Sequence, residues 1–317
     1  MIAYYIKKEG KLREIDTPEL GCWINITPPF SQEELDEISN NLEIPLDFLT
    51  DSLDIDERSR YDREDNVRHI VLNSPLHNDA SVASSNAFYV TVPIGIILTH
   101  DHTVTITSFE NTILEAFKKD KIRNFDPTDE KMFVLQLLEQ NVYAYLNALK
   151  KLNLQRNLIE KKLLISTENE HLIELLRIEK SLVYFVNALS VTELLNMKMK
   201  RSDFLQINGD EDKNELFEDI IIDTSQALQM ANIYANIQGS TMETYGSIIN
   251  NNVNAVMQRL TLVTIIIAVP TLVASLFGMN VHFYGLEDNP HALIYILIGS
   301  VLFALLLAWF FRRKRLL

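Results

Sequence analysis

One cysteine, Cys22, stands in 317 residues, so no disulfide can form within the chain and a reducing compartment is expected. Clusters of Lys and Arg are missing outside the last few residues, and the formal net charge is -14 at pH 7. Phosphate backbones recruit basic patches, so nucleic acid is excluded as a main partner, whereas an acidic chain suits cations. The opening stretch MIAYYIKKEGKLREID holds no apolar run of signal-peptide length, which predicts that the amino-terminal part stays in the cytoplasm. Neither G-x-x-x-x-G-K nor G-x-G-x-x-G occurs, and no pairing of nucleophile and base stands out. The expected class is therefore not an enzyme, and no organic cofactor is called for.

Helix breakers are missing over a long distance. Proline is absent from Thr128 to Val269 and glycine from Thr128 to Asn208, while seven of the nine prolines lie at or before Pro127. Such a stretch predicts long helices. Asp126 before Pro127 resembles an N-cap with proline at the first helical position, and Thr167 with Glu170 makes a capping box. Asn208 and Gly209 mark the next turn. The reading is a helical hairpin over about 128–165 and 167–207, then one helix from about 213 with no stop before Gly278. At roughly 1.5 Å per residue that last helix approaches 100 Å, so part of it must stand as a stalk outside any membrane it crosses. A helix of that length needs neighbours, either the hairpin alongside or copies of the chain in a ring.

Charge is missing twice near the C-terminus, from Leu260 to Phe277 and from Leu293 to Phe311. Each run matches the roughly 20 residues that cross about 30 Å of hydrocarbon. Arg259 precedes the first and Arg312, Arg313, Lys314 and Arg315 follow the second, whereas the connecting loop carries Glu287 and Asp288 and no Lys or Arg. That asymmetry predicts both termini on the cytoplasmic side. Before these helices, the segment from Phe88 to Phe109 alternates β-branched residues around Thr99, His100, Asp101 and His102, a hairpin signal. The expected class is α+β: a cytoplasmic α/β domain (1–125), a helical hairpin with a stalk helix (126–258), and a transmembrane pore domain (259–317, spans about 260–278 and 292–311), assembled in an oligomeric ring.

Along the first span Asn254, Met257, Thr261, Thr264, Ala268, Thr271 and Ser275 recur at three- and four-residue intervals and share one face. Such a stripe of small and hydroxylated residues can be a close-packed helix interface or the wall of a water-filled pore. Its continuation through Asn250, Ser247 and Ser240 favours the pore, because a packed seam would use Leu and Ile there. No carboxylate lines the span. A magnesium ion gives up its water reluctantly, so an uncharged site that holds the hydrated ion is the better design. Asn280, just past the helix end, offers an amide oxygen that accepts hydrogen bonds from such waters without trapping the ion. Gly278 is expected to let the backbone leave the helix at positive φ, and Glu287 with Asp288 would concentrate cations at the mouth.

Gly278-Met279-Asn280 at the end of the first of two C-terminal spans, with a short acidic loop and a basic tail, resembles the CorA magnesium transporters. CWINIT (Cys22–Thr27) is similar to that family's early strand, and LTDSLDIDER (Leu49–Arg58) to its acidic helix-turn segment. The resemblance covers the whole chain. It implies a homopentamer and influx of hydrated magnesium, with Gly278, Met279 and Asn280 as the selectivity filter, and the lack of a targeting peptide favours a bacterial plasma membrane. The resemblance also places Asn254, Met257, Leu260, Ala268 and Thr271 on the pore, and Asp51 and Asp219 at a regulatory Mg2+ site between subunits. The chain departs from the pattern at Ala268, where some members are bulky, at Pro270, which is shifted by one, and at Phe277, which replaces a tyrosine. Met257 and Leu260 are then the expected gate.

Other cations such as cobalt, nickel or zinc remain the alternative cargo. A membrane-anchored coiled-coil scaffold is a further reading, against which Asn254, Thr261, Thr264 and Thr271 interrupt any apolar seam. His100 and His102 form an H-x-H that reads as turn residues rather than a metal site. His282 and His291 flank the outer loop, where they could tune ion admission by pH or simply sit at the interface.

Overall fold

The structure, a computed structural model, describes residues 1–78, 85–163, 169–279 and 291–314. Two compact units make up the chain, Met1–Thr241 and Met242–Leu317.

Seven strands form the sheet of the first unit: β1 (Ile2–Lys8), β2 (Lys11–Ile15), β3 (Trp23–Ile26), β4 (Arg60–Glu64), β5 (Val67–His77), β6 (Tyr89–Leu98) and β7 (Thr103–Thr107). They lie in the order β2-β1-β3-β7-β6-β5-β4, with β3 and β7 parallel and the other neighbours antiparallel. The expected hairpin is present, since Leu98 pairs with Thr103 and leaves residues 99–102 as the tip. Thr99 closes that tip by accepting at Oγ1 from the His102 amide at 3.0 Å. Both edge strands, KLREI and RYDRE, are dense in charge, which keeps them solvated and resists further pairing.

All four residues of β3 are buried, because both of its faces are covered. On one face Cys22, Ile24 and Ile26 join Val104 and Ile106 under α1 (Gln32–Asn41) and α2 (Leu46–Asp51), through Leu35, Ile38, Phe48 and Leu49. On the other, Trp23 meets Phe117 of α3 (Thr112–Lys118), Phe125, and Phe133 of α4 (Glu130–Leu163) at 5.3 to 6.4 Å between centroids. Its indole N–H donates to Thr105 at 2.7 Å, and Thr105 donates to the Asn25 side-chain oxygen at 2.9 Å, so the indole and the hydroxyl have partners. Gly95 lets α2 approach the sheet: a Cβ there would fall 2.1 Å from Ser52 Oγ.

The long helices α4 and α5 (Asn169–Arg201) follow where breakers are absent, and α6 (Glu211–Phe277) runs on through Gly239, Gly246 and Pro270. One cap is corrected. The α4 helix begins a turn later than Asp126 and Pro127, because Asp126 bonds instead to the Thr128 amide and hydroxyl, and Asp129 accepts from the Met132 amide at 3.0 Å. Thr167 of the expected capping box lies outside the described residues. In α6 the residues Phe217, Ile220, Thr224, Ala227, Ala231 and Gln238 are buried at spacings of three, four and seven residues. Asn196 of α5 donates to Thr224 at 3.2 Å, Gln238 donates to the Leu175 carbonyl at 3.0 Å, and Thr241 donates to Glu160 of α4 at 3.3 Å. The hairpin is thus the neighbour that this part of the stalk requires.

The second unit holds the rest of α6 and α7 (Ala292–Arg313), and both helices are long and apolar enough to cross a membrane. Pro270 stands inside α6, so the Ile266 carbonyl loses its helical donor. The shielded residues fall on one stripe of each helix: Leu262, Ile266, Val269, Val273 and Phe277 on α6, and Ala292, Ile296, Ser300, Ala304 and Ala308 on α7. Each stripe is the side of its helix least open to solvent, and the one on α7 is rich in small residues.

Candidate functional site

At roughly 100° per residue, the hydroxylated stripe of α6 lies on the side of the helix opposite its shielded stripe. Asn254, Met257, Leu260, Thr261, Thr264, Ala268, Thr271 and Ser275 are all exposed. The structure therefore brings these expected residues onto one uncovered face. Thr264, Ile267, Ala268, Thr271, Leu272 and Ser275 line a shallow groove along it.

The three threonine hydroxyl hydrogens on this face are already committed. Thr261 donates to the Met257 carbonyl at 2.9 Å, Thr264 to Leu260 at 2.8 Å, and Thr271 to Ile267 at 3.0 Å. Each hydroxyl oxygen consequently turns acceptor lone pairs outward. Water bound to a cation points its hydrogens away from the metal, so acceptors are the groups that meet it.

Gly278 ends α6, but not in the expected way. Its φ is not in the left-handed region, where the described glycines are Gly10 and Gly21. Its amide still donates to Ala274 at 2.9 Å and the Met279 amide donates to Leu276 at 3.3 Å, so the helix tightens and then stops. A methyl group on Gly278 would sit 3.2 Å from the Ala274 carbonyl oxygen of the preceding turn, a tight contact. Met279 is exposed. Asn280, His282, Glu287 and Asp288 lie outside the described residues. His291 immediately precedes α7, its ring edge-on to Tyr295 at 6.5 Å.

The two expected regulatory carboxylates lie on different elements of the first unit, Asp51 on α2 and Asp219 on α6. Asp219 is exposed on α6. With Glu139 and Asp223 it forms an acidic neighbourhood around Tyr143, whose hydroxyl pKa is raised first by the charge on Glu139, then by burial and the two aspartates. Asp51 closes α2, and its Oδ2 accepts from Arg60 Nη2 at 2.6 Å. The same guanidinium donates from Nε to Glu57 at 2.8 Å and from Nη1 to Asp62 at 3.3 Å. Burial works against the Arg60 charge, but the Glu57 hydrogen bond and the charges of Glu57, Asp51 and Asp62 outweigh it and raise its pKa. Sequence reading missed Arg60; its one signal was the crowding of opposite charges in DIDERSRYDRE.

The histidines of the hairpin tip do not converge. His100 is fully exposed and pairs with Asp101 at 2.7 Å, while His102 lies 3.4 Å from the Cys22 sulfur. Among the described residues no group of three or more His, Cys, Asp or Glu side chains is arranged to hold a metal.

A family model described as CorA-like Mg2+ transporter protein matches residues 20–313. The cobalt/magnesium transport protein CorA of Methanocaldococcus jannaschii is 27% identical over 315 residues, covering 98% of this chain and 97% of its own. The complete structure of the CorA magnesium transporter from that organism matches with a TM-score of 0.80 at 24% identity, covering 99% of this chain and 98% of its own. The full-length CmaX protein matches with a TM-score of 0.69 at 17% identity, covering 99% and 97%.

Proposed function

This chain belongs to the CorA-like Mg2+ transporter family, and from that premise we propose that it carries divalent cations, magnesium above all, across a membrane as hydrated ions. The observation that carries the reading is the uncovered stripe of α6, whose threonine oxygens face away from the shielded side of the helix as acceptors. A lone helix pair would leave that polar stripe against lipid, where its hydroxyl oxygens and the Asn254 amide meet no donor. Several copies around an axis turn it inward instead. We take the copies to be a homopentamer and the axis to be the pore.

In this reading residues 1–125 sense, 126–258 transmit and 259–317 conduct, with both termini cytoplasmic. Gly278, Met279 and Asn280 form the filter at the outer mouth, where a ring of Asn280 amides holds the inner water shell of the ion. Glu287 and Asp288 raise the cation concentration there. Met257 and Leu260 close the cytoplasmic end of the span by dewetting. An ion of two charges gains about 4.6 kcal/mol per 100 mV of inside-negative potential, at roughly 2.3 per charge, so influx needs no ATP.

Closure follows from electrostatics. When internal magnesium is high, the ion bridges Asp51 and Asp219 on adjacent subunits and offsets their repulsion; when it falls, the acidic faces repel and the ring loosens. Cobalt is a second cargo to measure, because the Methanocaldococcus relative is named for both metals.

Magnesium uptake into liposomes holding the purified protein tests the reading. An inside-negative potential should drive uptake, and Asn280→Ala should reduce it about tenfold or more, a loss of roughly 1.4 kcal/mol at the barrier. Uptake that is absent in the unaltered protein, or undiminished by Asn280→Ala, would contradict it.

A further inference from the structure

We propose that Arg60 is a built-in competitor for the regulatory cation: its guanidinium holds the Asp51 carboxylate that a divalent ion would need, and so sets the internal magnesium level at which transport closes. The proposal rests on the reading of Asp51 as a regulatory ligand.

Asp51 is the last residue of α2, at the negative end of that helix's dipole. A carboxylate placed there calls for a cation. Arg60, at the start of the edge strand β4, supplies one, with its three nitrogens each on a different carboxylate at 2.6, 2.8 and 3.3 Å. The planar fork suits that task better than an ammonium would.

Three features make the arrangement exchangeable rather than merely structural. The Arg60 side chain is 36% exposed and that of Asp51 39%, so the pair is open to solvent and to ions. Releasing Asp51 would not strand the guanidinium, which keeps Glu57 and Asp62. The backbone beneath is anchored, since Ser52 donates to the Phe48 carbonyl at 2.7 Å and sits 2.9 Å from the His69 ring nitrogen. The carboxylate of Asp51 can therefore change partner while the end of α2 stays in place. A divalent ion then wins Asp51 only above a concentration that offsets one arginine contact.

The test uses full-length protein in liposomes loaded with graded internal magnesium, with uptake normalised to the maximum of each variant. Arg60→Gln should lower the half-closing magnesium level about two- to fivefold, the range that one partly exposed ion pair supports. Arg60→Lys, which keeps a charge but not the fork, should fall between. In an Asp51→Asn background, Arg60→Gln should add nothing. An Arg60→Gln level equal to or above that of the unaltered protein overturns the proposal, as does an effect of the same size in the Asp51→Asn background. If Asp51→Asn alone leaves the level unchanged, the regulatory reading of Asp51 fails and takes the proposal with it. If Asp51→Asn shifts the level and Arg60→Gln does not, the proposal fails and the regulatory reading stands.

Discussion

Two stretches of one helix, 217–241 and 247–275, repeat residues at helical spacings of three, four and seven yet have opposite surroundings. In the first, Phe217, Ile220, Ala227 and Ala231 are buried, with Thr224 and Gln238 bonded to α5. In the second, Ser247, Asn254, Thr261, Thr264 and Thr271 are exposed. Periodicity marks a face in both cases. The surroundings decide what the face is for: in the first stretch apolar and polar groups alike find partners on the helical hairpin, whereas in the second the hydroxyls and amides are left for water, ions or another copy.

The comparison can be broken most forcefully in the lower stretch. Phe217→Ala should destabilise the first unit by about 3–5 kcal/mol, because it removes a fully buried ring and leaves a cavity. Ile222→Ala, five positions on but 63% exposed, should change stability by about 0.5 kcal/mol or less. Thermal unfolding of the full chain in detergent distinguishes them, and equal effects would mean that the buried stripe does not carry the packing.

A slightly smaller effect sharpens the contrast through pH. His69 is fully buried, stacked on Phe48 at 4.5 Å, and burial first, then the charge of Arg60, push its pKa down to about 4 against the opposing charge of Asp62. An unfolded chain takes up that proton near 6.5, whereas the folded chain resists it down to about 4. Stability present above pH 6.5 is therefore lost as pH falls toward 4, by roughly 3 kcal/mol. His69→Gln should flatten the unfolding profile over this window. A wild-type profile already flat there would contradict the assignment. The stripe of the upper stretch, from Asn254 to Ser275, carries no titratable side chain and should contribute nothing to the profile.

Much of this was legible in the sequence because the signals were absences with a single physical meaning. No proline or glycine over such a length leaves only helix, and no charge over such a length leaves only lipid or a deep core. The hairpin from Phe88 to Phe109 was equally plain, since alternation fixes both strands and the polar tip between them. Local capping was harder to read: Asp126 and Asp129 are both plausible caps, and the choice depends on where the chain leaves the sheet. Gly278 misled because glycine answers two demands, handedness and room, that spacing cannot separate. Arg60 and the buried Ser52–His69 contact were invisible because they depend on β4 and β5 lying beside the end of α2, a matter of tertiary placement.

The central claim is that the face of α6 bearing Thr264 meets the same face of neighbouring copies around a water-filled axis. Cysteine cross-linking tests it directly, since Cys22 is the one native thiol to remove first. With Cys22 replaced by serine, Thr264→Cys in membranes should form oxidative cross-links between subunits and react with a water-soluble thiol reagent. Val263→Cys, exposed but off both stripes, should do neither. Reaction at Val263 with none at Thr264 would place the threonine face toward lipid and contradict the account.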